Sequence, residues 1–372
     1  MKKLRQETYE AASGLQAERN GMDMSQHLIN EILAANDFTD EQIMQILYCE
    51  DEAVMQALRK RATQVLLRHY GSAVYIRGLI EFSNYCRQDC YYCGIRASNR
   101  AVSRFRLTPE EILETAMKGD ALGFKTLVLQ GGEDSWFTRE RFVNIIRTIK
   151  QSLPESRLTI SIGVRSREDL IAFKEAGADR FLLRHETANP EFFGRLHPPG
   201  QSFAERQKQL FTLQELGYTT GAGFLIGAPG GRLTDHLQDI RFLRELRPQM
   251  IGIGPFIPQH DTPFGNQPAG SVKVTLKLLS ILRVIFPQAL LPATTALNTL
   301  DPQGRILGLR HGANVVMPNL SPEFARARYT LYDKKATGQL EAAEHVKQLA
   351  GQVATFGRFV EIGVGDPVTA QK

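Results

Sequence analysis

A chain of 372 residues with 42% apolar content can bury a sizeable core, and barrel folds of this length commonly form one unit. Its 45 Lys and Arg against 40 Asp and Glu give a net charge of +5, with the two signs interspersed. That pattern excludes the basic arm of a nucleic-acid binder and leaves mild attraction for small anions at most. The start, MKKLRQETYEAASG, is charged where a signal peptide is apolar, and no apolar run reaches the length of a membrane span. Only four cysteines occur, three of them within eight residues, which is no disulfide framework for a chain of this size. A reducing cytoplasm is the expected location.

Residues 1–70 carry helical spacing without a strand-like run: Ile29, Ile32 and Leu33, then Ile43, Ile46 and Leu47, then Val54, Leu58, Val65 and Leu66. They predict a helical N-terminal layer. From 71 to 360 the pattern becomes regular. Short apolar runs at Val74–Phe82, Lys125–Leu129, Leu158–Gly163, Arg180–Leu183, Gly221–Ile226, Met250–Phe256, Leu290–Ala293 and Asn314–Met317 predict eight strands. Helical stretches alternate with most of them. Thr108-Pro-Glu-Glu111 supplies an N-cap, a first-turn proline and a capping-box glutamate; Ser202-Phe-Ala-Glu205 and Ser166-Arg-Glu-Asp169 are similar starts. Gly123, Gly177 and Gly217 stand where helices should stop. Such alternation implies a parallel sheet with right-handed crossovers, and eight strands favour a closed (β/α)8 barrel of TIM type within the α/β class. A closing helix is expected over Gly338–Phe356, and residues 361–372 read as a loose tail.

Reactive groups of such barrels lie at the carboxyl ends of the strands. The most unusual residues fall there: the cysteines after strand one, Gln130-Gly-Gly-Glu-Asp134 after strand two, Ser161 in strand three, and His185-Glu-Thr-Ala188 after strand four. Gly227-Ala-Pro-Gly-Gly231, Gly254-Pro-Phe-Ile-Pro258 and Thr294-Thr295 follow or end strands five, six and seven.

Cys86-Arg-Gln-Asp-Cys90-Tyr-Tyr-Cys93 is a C-x3-C-x2-C triplet. Three thiolates on so short a loop can hold three irons of a cubane cluster and leave the fourth open. Four-cysteine electron carriers offer no such position. Structural zinc takes four ligands, and Cys90-x-x-Cys93 has no second knuckle. Cys49, in the helical run Ile46-Leu-Tyr-Cys49, is expected to be a buried, inert thiol.

The triplet, with aromatic Tyr92 before its last cysteine, resembles the signature of the radical S-adenosylmethionine (SAM) superfamily. That resemblance implies a 4Fe-4S cluster on Cys86, Cys90 and Cys93, with SAM chelating the open iron. Reductive cleavage would then give methionine and a 5′-deoxyadenosyl radical. It implies a cofactor site from Tyr92, Gly131, Gly132, Glu133, Ser161, Glu186 and Arg206. Here the glycines allow close approach, Glu133 and Glu186 accept from ammonium or ribose, and Arg206 clamps the methionine carboxylate.

Longer strings carry a finer resemblance, to the HydE family of FeFe-hydrogenase maturases. They include Arg184-His-Glu-Thr-Ala-Asn-Pro190, Ile251-Gly-Ile-Gly-Pro-Phe-Ile-Pro258, Pro292-Ala-Thr-Thr-Ala296 and Gly312-Ala-Asn-Val-Val-Met-Pro-Asn319. The likeness implies a small organometallic or thiol-containing substrate lined by Arg184, Thr294, Thr295, Tyr329 and Tyr332. It also implies partners among other maturases and a scaffold protein, and an electron donor such as a ferredoxin or flavodoxin. A second cluster, present in some members, is not expected, because no cysteine follows Cys93. A related enzyme with an amino-acid-like substrate, resembling methylornithine synthase, is the alternative. From another class comes a non-enzymatic iron-sulfur carrier, which would need a complete ligand set and none of the SAM residues.

Overall fold

The computed structural model describes residues 25–335 and 342–368. The expected helical layer falls partly outside these; what is described of it is a helix at 25–34 followed by Asp40–Tyr48 and Glu52–Tyr70. Thr39 and Asp51 cap the last two, Thr39 through a full capping box with Gln42. Their apolar faces pack on the outer barrel helices Leu233–Leu246 and Val272–Ile285. Buried Lys277 donates to the Leu47 carbonyl at 2.9 Å, satisfying an orphan acceptor at a helix end.

The barrel is built from strands β1 (Ala73–Ile76), β2 (Gly78–Ser83), β3 (Thr126–Gly131), β4 (Arg157–Ser161), β5 (Arg180–Leu182), β6 (Thr219–Ala222), β7 (Leu225–Ile226), β8 (Met250–Ile251), β9 (Gly254–Pro255) and β10 (Val315–Val316). Strands β2-β3-β4-β5-β6-β8 form one parallel sheet. Parallel bridges Met250 to Leu290, Pro292 to Val315 and Leu79 to Asn319 carry the pairing round to the first strand, where β10 also joins β1. The ring therefore closes with eight strand positions, as the sequence predicts.

Several strands are shorter or more broken than the hydrophobic runs suggest. The first divides at Arg77; the fifth and sixth divide around Gly223–Phe224 and Gly252–Ile253; the seventh is reduced to bridging residues. Gly223 explains one break: at φ +156° its missing Cβ leaves space that the Gly252 carbonyl fills. Helix starts at Thr108, Ser166 and Ser202 are capped as expected, each by its own hydroxyl. Phe82 on β2 turns outward onto Phe137 and Phe142, and Phe142 packs on Phe173, so aromatic edges fill the layer between sheet and helices.

The C-terminal end departs from the sequence reading. The helix is Ala342–Ala354, and the expected start at Gly338 lies outside the described residues. A further strand, β11 (Phe359–Glu361), pairs in parallel with β1. The segment read as a loose tail continues under the barrel floor as far as the described residues reach. There Thr126 and fully buried Arg180 donate to the Val364 carbonyl at 2.6 and 2.9 Å, and Arg180 meets the Asp366 carboxylate at 2.8 Å. Period-2 patterning is too weak in three residues to reveal this strand, and the anchoring arginine lies 186 positions away.

Burial of Asp366 opposes its charge, but Arg157 and Arg180 outweigh this and hold its carboxyl below the usual value of 3.8. Its contribution to stability is therefore complete above pH 3.8 and lost as pH falls through the lower folded value. Asp366→Asn should cost about 1–2 kcal/mol at neutral pH, less than a fully buried pair because the carboxylate is 44% exposed. Urea unfolding should show the difference at pH 7 and a smaller one near pH 3.

Candidate active site

Between the end of β2 and the start of helix Pro109–Ala121 lies the segment that holds the three clustered cysteines. Its shape is fixed by side chains bonding to backbone. Asn84 donates to the carbonyls of Ser103 and Arg328 at 2.9 and 2.8 Å and accepts from the Phe105 amide at 2.7 Å. Arg104 donates to the carbonyls of Ile95, Arg96 and Asn99 at 2.8, 2.6 and 3.0 Å, and also to that of Asn84. Asp89 forms a two-point ion pair with Arg96 and accepts from the Ser98 amide at 2.9 Å. The Arg96 pair holds the Asp89 carboxyl well below the usual carboxylate range.

The loop is pressed onto the next strand end. A Cβ on Gly132 would collide with the Tyr85 carbonyl and Cys86, so only glycine admits this approach. The Glu133 amide donates toward Cys86 Sγ at 3.4 Å, and Gln201 donates to Cys90 Sγ at 3.5 Å. Burial pushes all three thiols up: Cys86 is raised, Cys90 goes to about 11 and Cys93 goes well above its ordinary value. Without a bound cation the thiols are therefore neutral, and cluster binding displaces their protons.

Among the described residues no three His, Cys, Asp or Glu side chains gather closely enough for one metal ion. A cubane cluster does not require that, since each thiolate meets a different iron. The donor set fits such a cluster: three half-buried thiols with N–H donors aimed at two of the sulfurs, all lining one cavity.

That cavity, about 290 Å3 in volume, opens at the carboxyl ends of the strands. Cys86, Cys90, Cys93, Tyr92, Gly131, Gly132, Glu133, Ser161, Glu186 and Arg206 all line it, as do Arg184, Tyr329 and Tyr332. Thr294 and Thr295 are not in its wall; Ala296 is. Thr294 stands behind Gly254 with its hydroxyl buried and unpartnered, and Thr295 begins a short helix in which its carbonyl accepts from Thr299.

Glu133 is differently employed than its position in sequence suggests. One carboxylate oxygen accepts from Arg87 and Gln88 at 3.2 and 2.7 Å, and the other from the Val164 amide at 3.2 Å. The carboxylate thus braces the cysteine loop against β3 and β4, with its acceptor capacity largely used. Gly131 and Gly132 likewise admit Phe82 and the cysteine loop.

Glu186 is left in charge of the opposite wall. It is buried at φ +67°, a left-handed conformation that is unfavourable for a glutamate. One oxygen lies 3.9 Å from Arg206 and the other 2.8 Å from Arg184, the latter without hydrogen-bond alignment. Arg206 also donates to the Arg184 carbonyl at 2.6 Å. Burial opposes the Arg206 charge, but Glu186, Tyr92 and Cys90 outweigh it and raise its value. Arg184 retains two unbonded N–H groups and Glu186 one unbonded oxygen, all buried.

Asn84, Gln88, Asp89, Arg96, Arg104 and Gln201 were not singled out by spacing. The legible signal was the density of Arg, Asp and Asn in a loop that is otherwise too long to stay ordered.

Residues 80–255 match the model of the Radical SAM superfamily. With this fold, this cavity and the similarities below, the chain belongs to the radical SAM superfamily, whose cofactors are a 4Fe-4S cluster and SAM. Within that superfamily it is 45% identical over 307 residues to the FeFe hydrogenase maturase subunit HydE of Thermotoga maritima, across 82% of this chain and 87% of that one. The 3-methylornithine synthase of Methanosarcina acetivorans is 31% identical over 306 residues, across 82% and 86%. A crystal structure of methylornithine synthase (PylB) superposes with a TM-score of 0.76 at 27% identity, covering 90% of this chain and 97% of that one.

Serine at position 86, 90 or 93 should abolish cluster assembly, whereas Cys49→Ser should leave it intact. Cys49 is half-buried at the end of helix Asp40–Tyr48, outside the cavity. Arg104→Gln, which keeps a donor but cannot bridge four carbonyls, should reduce reconstituted iron content several-fold. Iron and sulfide analysis with the visible spectrum reads both comparisons.

Proposed function

We propose that this chain is a radical SAM enzyme of FeFe-hydrogenase maturation. It acts on a small organometallic species, iron carrying carbonyl, cyanide and a bound cysteine, on the way to the dinuclear iron precursor of the hydrogenase. The carrying observation is a wall of three thiols with no other cysteine or histidine among the described residues lining the cavity, facing the Glu186–Arg206 pair. A carrier needs a complete ligand set; an open position facing an ion-paired pocket is what a cofactor-binding enzyme needs. The identity with HydE over most of both chains supports the choice of substrate.

When bound, the reduced cluster and SAM supply the 5′-deoxyadenosyl radical. Cys86, Cys90 and Cys93 hold the cluster. Arg206 offers its guanidinium to the methionine carboxylate, and Glu186 accepts from ammonium or ribose. Tyr92, Gly131, Gly132 and Ser161 shape the wall around them, and Glu133 acts by bracing the loop. Arg184, Tyr329 and Tyr332 line the same cavity and are the groups this reading assigns to the substrate. Thr294 and Thr295, outside the cavity wall, take no ligand contact in this reading. Other maturases, a scaffold protein and a ferredoxin or flavodoxin are the partners of this reading.

Arg206→Ala should weaken SAM binding by about 2–4 kcal/mol, since it strips a partly desolvated carboxylate of its charged partner. Arg206→Lys should restore only part, because two-point geometry is lost. Unchanged affinity in the alanine variant removes Arg206 from the site. In a reconstituted hydrogenase maturation assay, Arg184→Ala should spare the cluster and SAM affinity while maturation collapses. Full maturation by the folded variant would overturn the substrate assignment.

A further inference from the structure

Glu186 sits in a left-handed backbone conformation that is unfavourable for a residue with a side chain, so the surroundings must impose it. What imposes it lies outside the cavity, on helix Leu233–Leu246, which follows β7. This helix presents Asp235 and Asp239, one turn apart and both buried, to the segment Arg184–Asn189. Asp239 Oδ1 accepts from the Ala188 amide at 2.6 Å, and Asp235 accepts from the Asn189 side chain at 2.7 Å. Asp239 is flanked by two buried histidines, with His236 Nδ1 3.2 Å from Oδ2 and His185 Nε2 3.5 Å from Oδ1.

The His185 ring reaches the other side of Glu186 as well. Its Nδ1 accepts from the Gly223 amide at 3.4 Å, which leaves Nε2 carrying the proton that faces Asp239. The Gly223 carbonyl in turn accepts from the Glu186 amide at 3.1 Å, and the Glu186 carbonyl accepts from Leu225 at 2.9 Å. Aromatic faces fix the histidines: His185 lies 4.8 Å from Phe242, and His236 stacks on Phe224 at 5.4 Å. Burial opposes a charge on Asp239, but the neighbouring His185 and His236 outweigh it and hold the carboxyl below its usual value. One buried carboxylate therefore anchors the far end of the Glu186 turn at Ala188 and lies 3.5 Å from the His185 ring at its near end.

We propose that Asp239, acting through His185 and the Ala188 amide, is the positioning residue that sets Glu186 for SAM binding. It touches neither cofactor nor substrate; its effect is on affinity. The proposal rests on the reading of Glu186 as a SAM contact. Asp239→Asn keeps the size of the side chain and, with its oxygen still toward Ala188 and His185, removes the negative charge and sets its NH2 against the His236 ring nitrogen.

The test compares Asp239→Asn, Glu186→Gln and the double variant, each with cluster content and thermal midpoint measured first. SAM affinity is then read by equilibrium binding to the reconstituted protein. Asp239→Asn should weaken SAM binding by about tenfold, and 5′-deoxyadenosine formation at saturating SAM should stay within about threefold of the unaltered protein. The double variant should bind no worse than Glu186→Gln alone, because the two residues act in series. Hydrogen exchange at the amides of 184–189, in protein without SAM, should quicken in Asp239→Asn. If Asp239→Asn, with a full cluster, binds SAM normally while Glu186→Gln does not, the positioning role is overturned. Fully additive losses in the double variant overturn it too. Should Asp239→Asn fail to fold, His185→Gln carries the same comparison. Normal affinity in Glu186→Gln would instead remove Glu186 from the SAM site, and the proposal would fall with that reading.

Discussion

Everything in this molecule depends on holding three thiolates on one irregular loop while leaving one side of their cluster open. A loop of this kind cannot satisfy its own backbone, and buried carbonyls without donors are costly. The chain meets the constraint with side chains: Arg104 gathers carbonyls from both ends of the loop, Asn84 ties its start to its return, and Asp89 with Arg96 closes the middle. Gly132 then lets the whole assembly lie against the second barrel strand position, where Glu133 braces it from its carboxylate. The barrel supplies a rigid rim, and the loop takes its precision from that rim.

The opposite wall answers the same constraint electrostatically. A cluster and its cofactor bring charge into a buried space, and burial alone would expel it. Arg206, Arg184 and Glu186 form a partly compensated set on the cavity wall, in which Arg184 and Glu186 keep buried atoms without hydrogen-bond partners. Such a set is costly when nothing is bound and favourable when a zwitterionic ligand completes it. The left-handed turn at Glu186 is part of that cost, borne by the packed helix behind it. Far below, Arg180 and Asp366 close the barrel floor, so the mouth near the cysteines is the side on which chemistry is arranged.

Much of this was legible in the sequence because it was written in local patterns. The cysteine spacing, the capping residues Thr108, Ser166 and Ser202, and strand-helix alternation each involve neighbours a few positions apart. Where an outcome depended on distant residues, sequence reasoning fell short. The glycines at 131 and 132 fit close approach, but what approaches is Phe82 and the cysteine loop. Glu133 has the right chemistry to accept from a ligand, yet Arg87, Gln88 and Val164 occupy it. Thr294 and Thr295 lie at a strand end without reaching the cavity wall, because the seventh strand is reduced to bridges and the helix begins early. The chain from Phe359 onward carries too little pattern to reveal that it pairs with β1 and then reaches the floor at Val364 and Asp366.

The central claim is that the three-cysteine cluster keeps one iron free and that SAM occupies it. Electron-nuclear double resonance of the reduced, reconstituted protein with SAM labelled with 15N at its amino group addresses this most directly. The account predicts a nitrogen coupling to the cluster signal that disappears when SAM is omitted. A cluster signal unaffected by saturating SAM, with no nitrogen coupling, would contradict it.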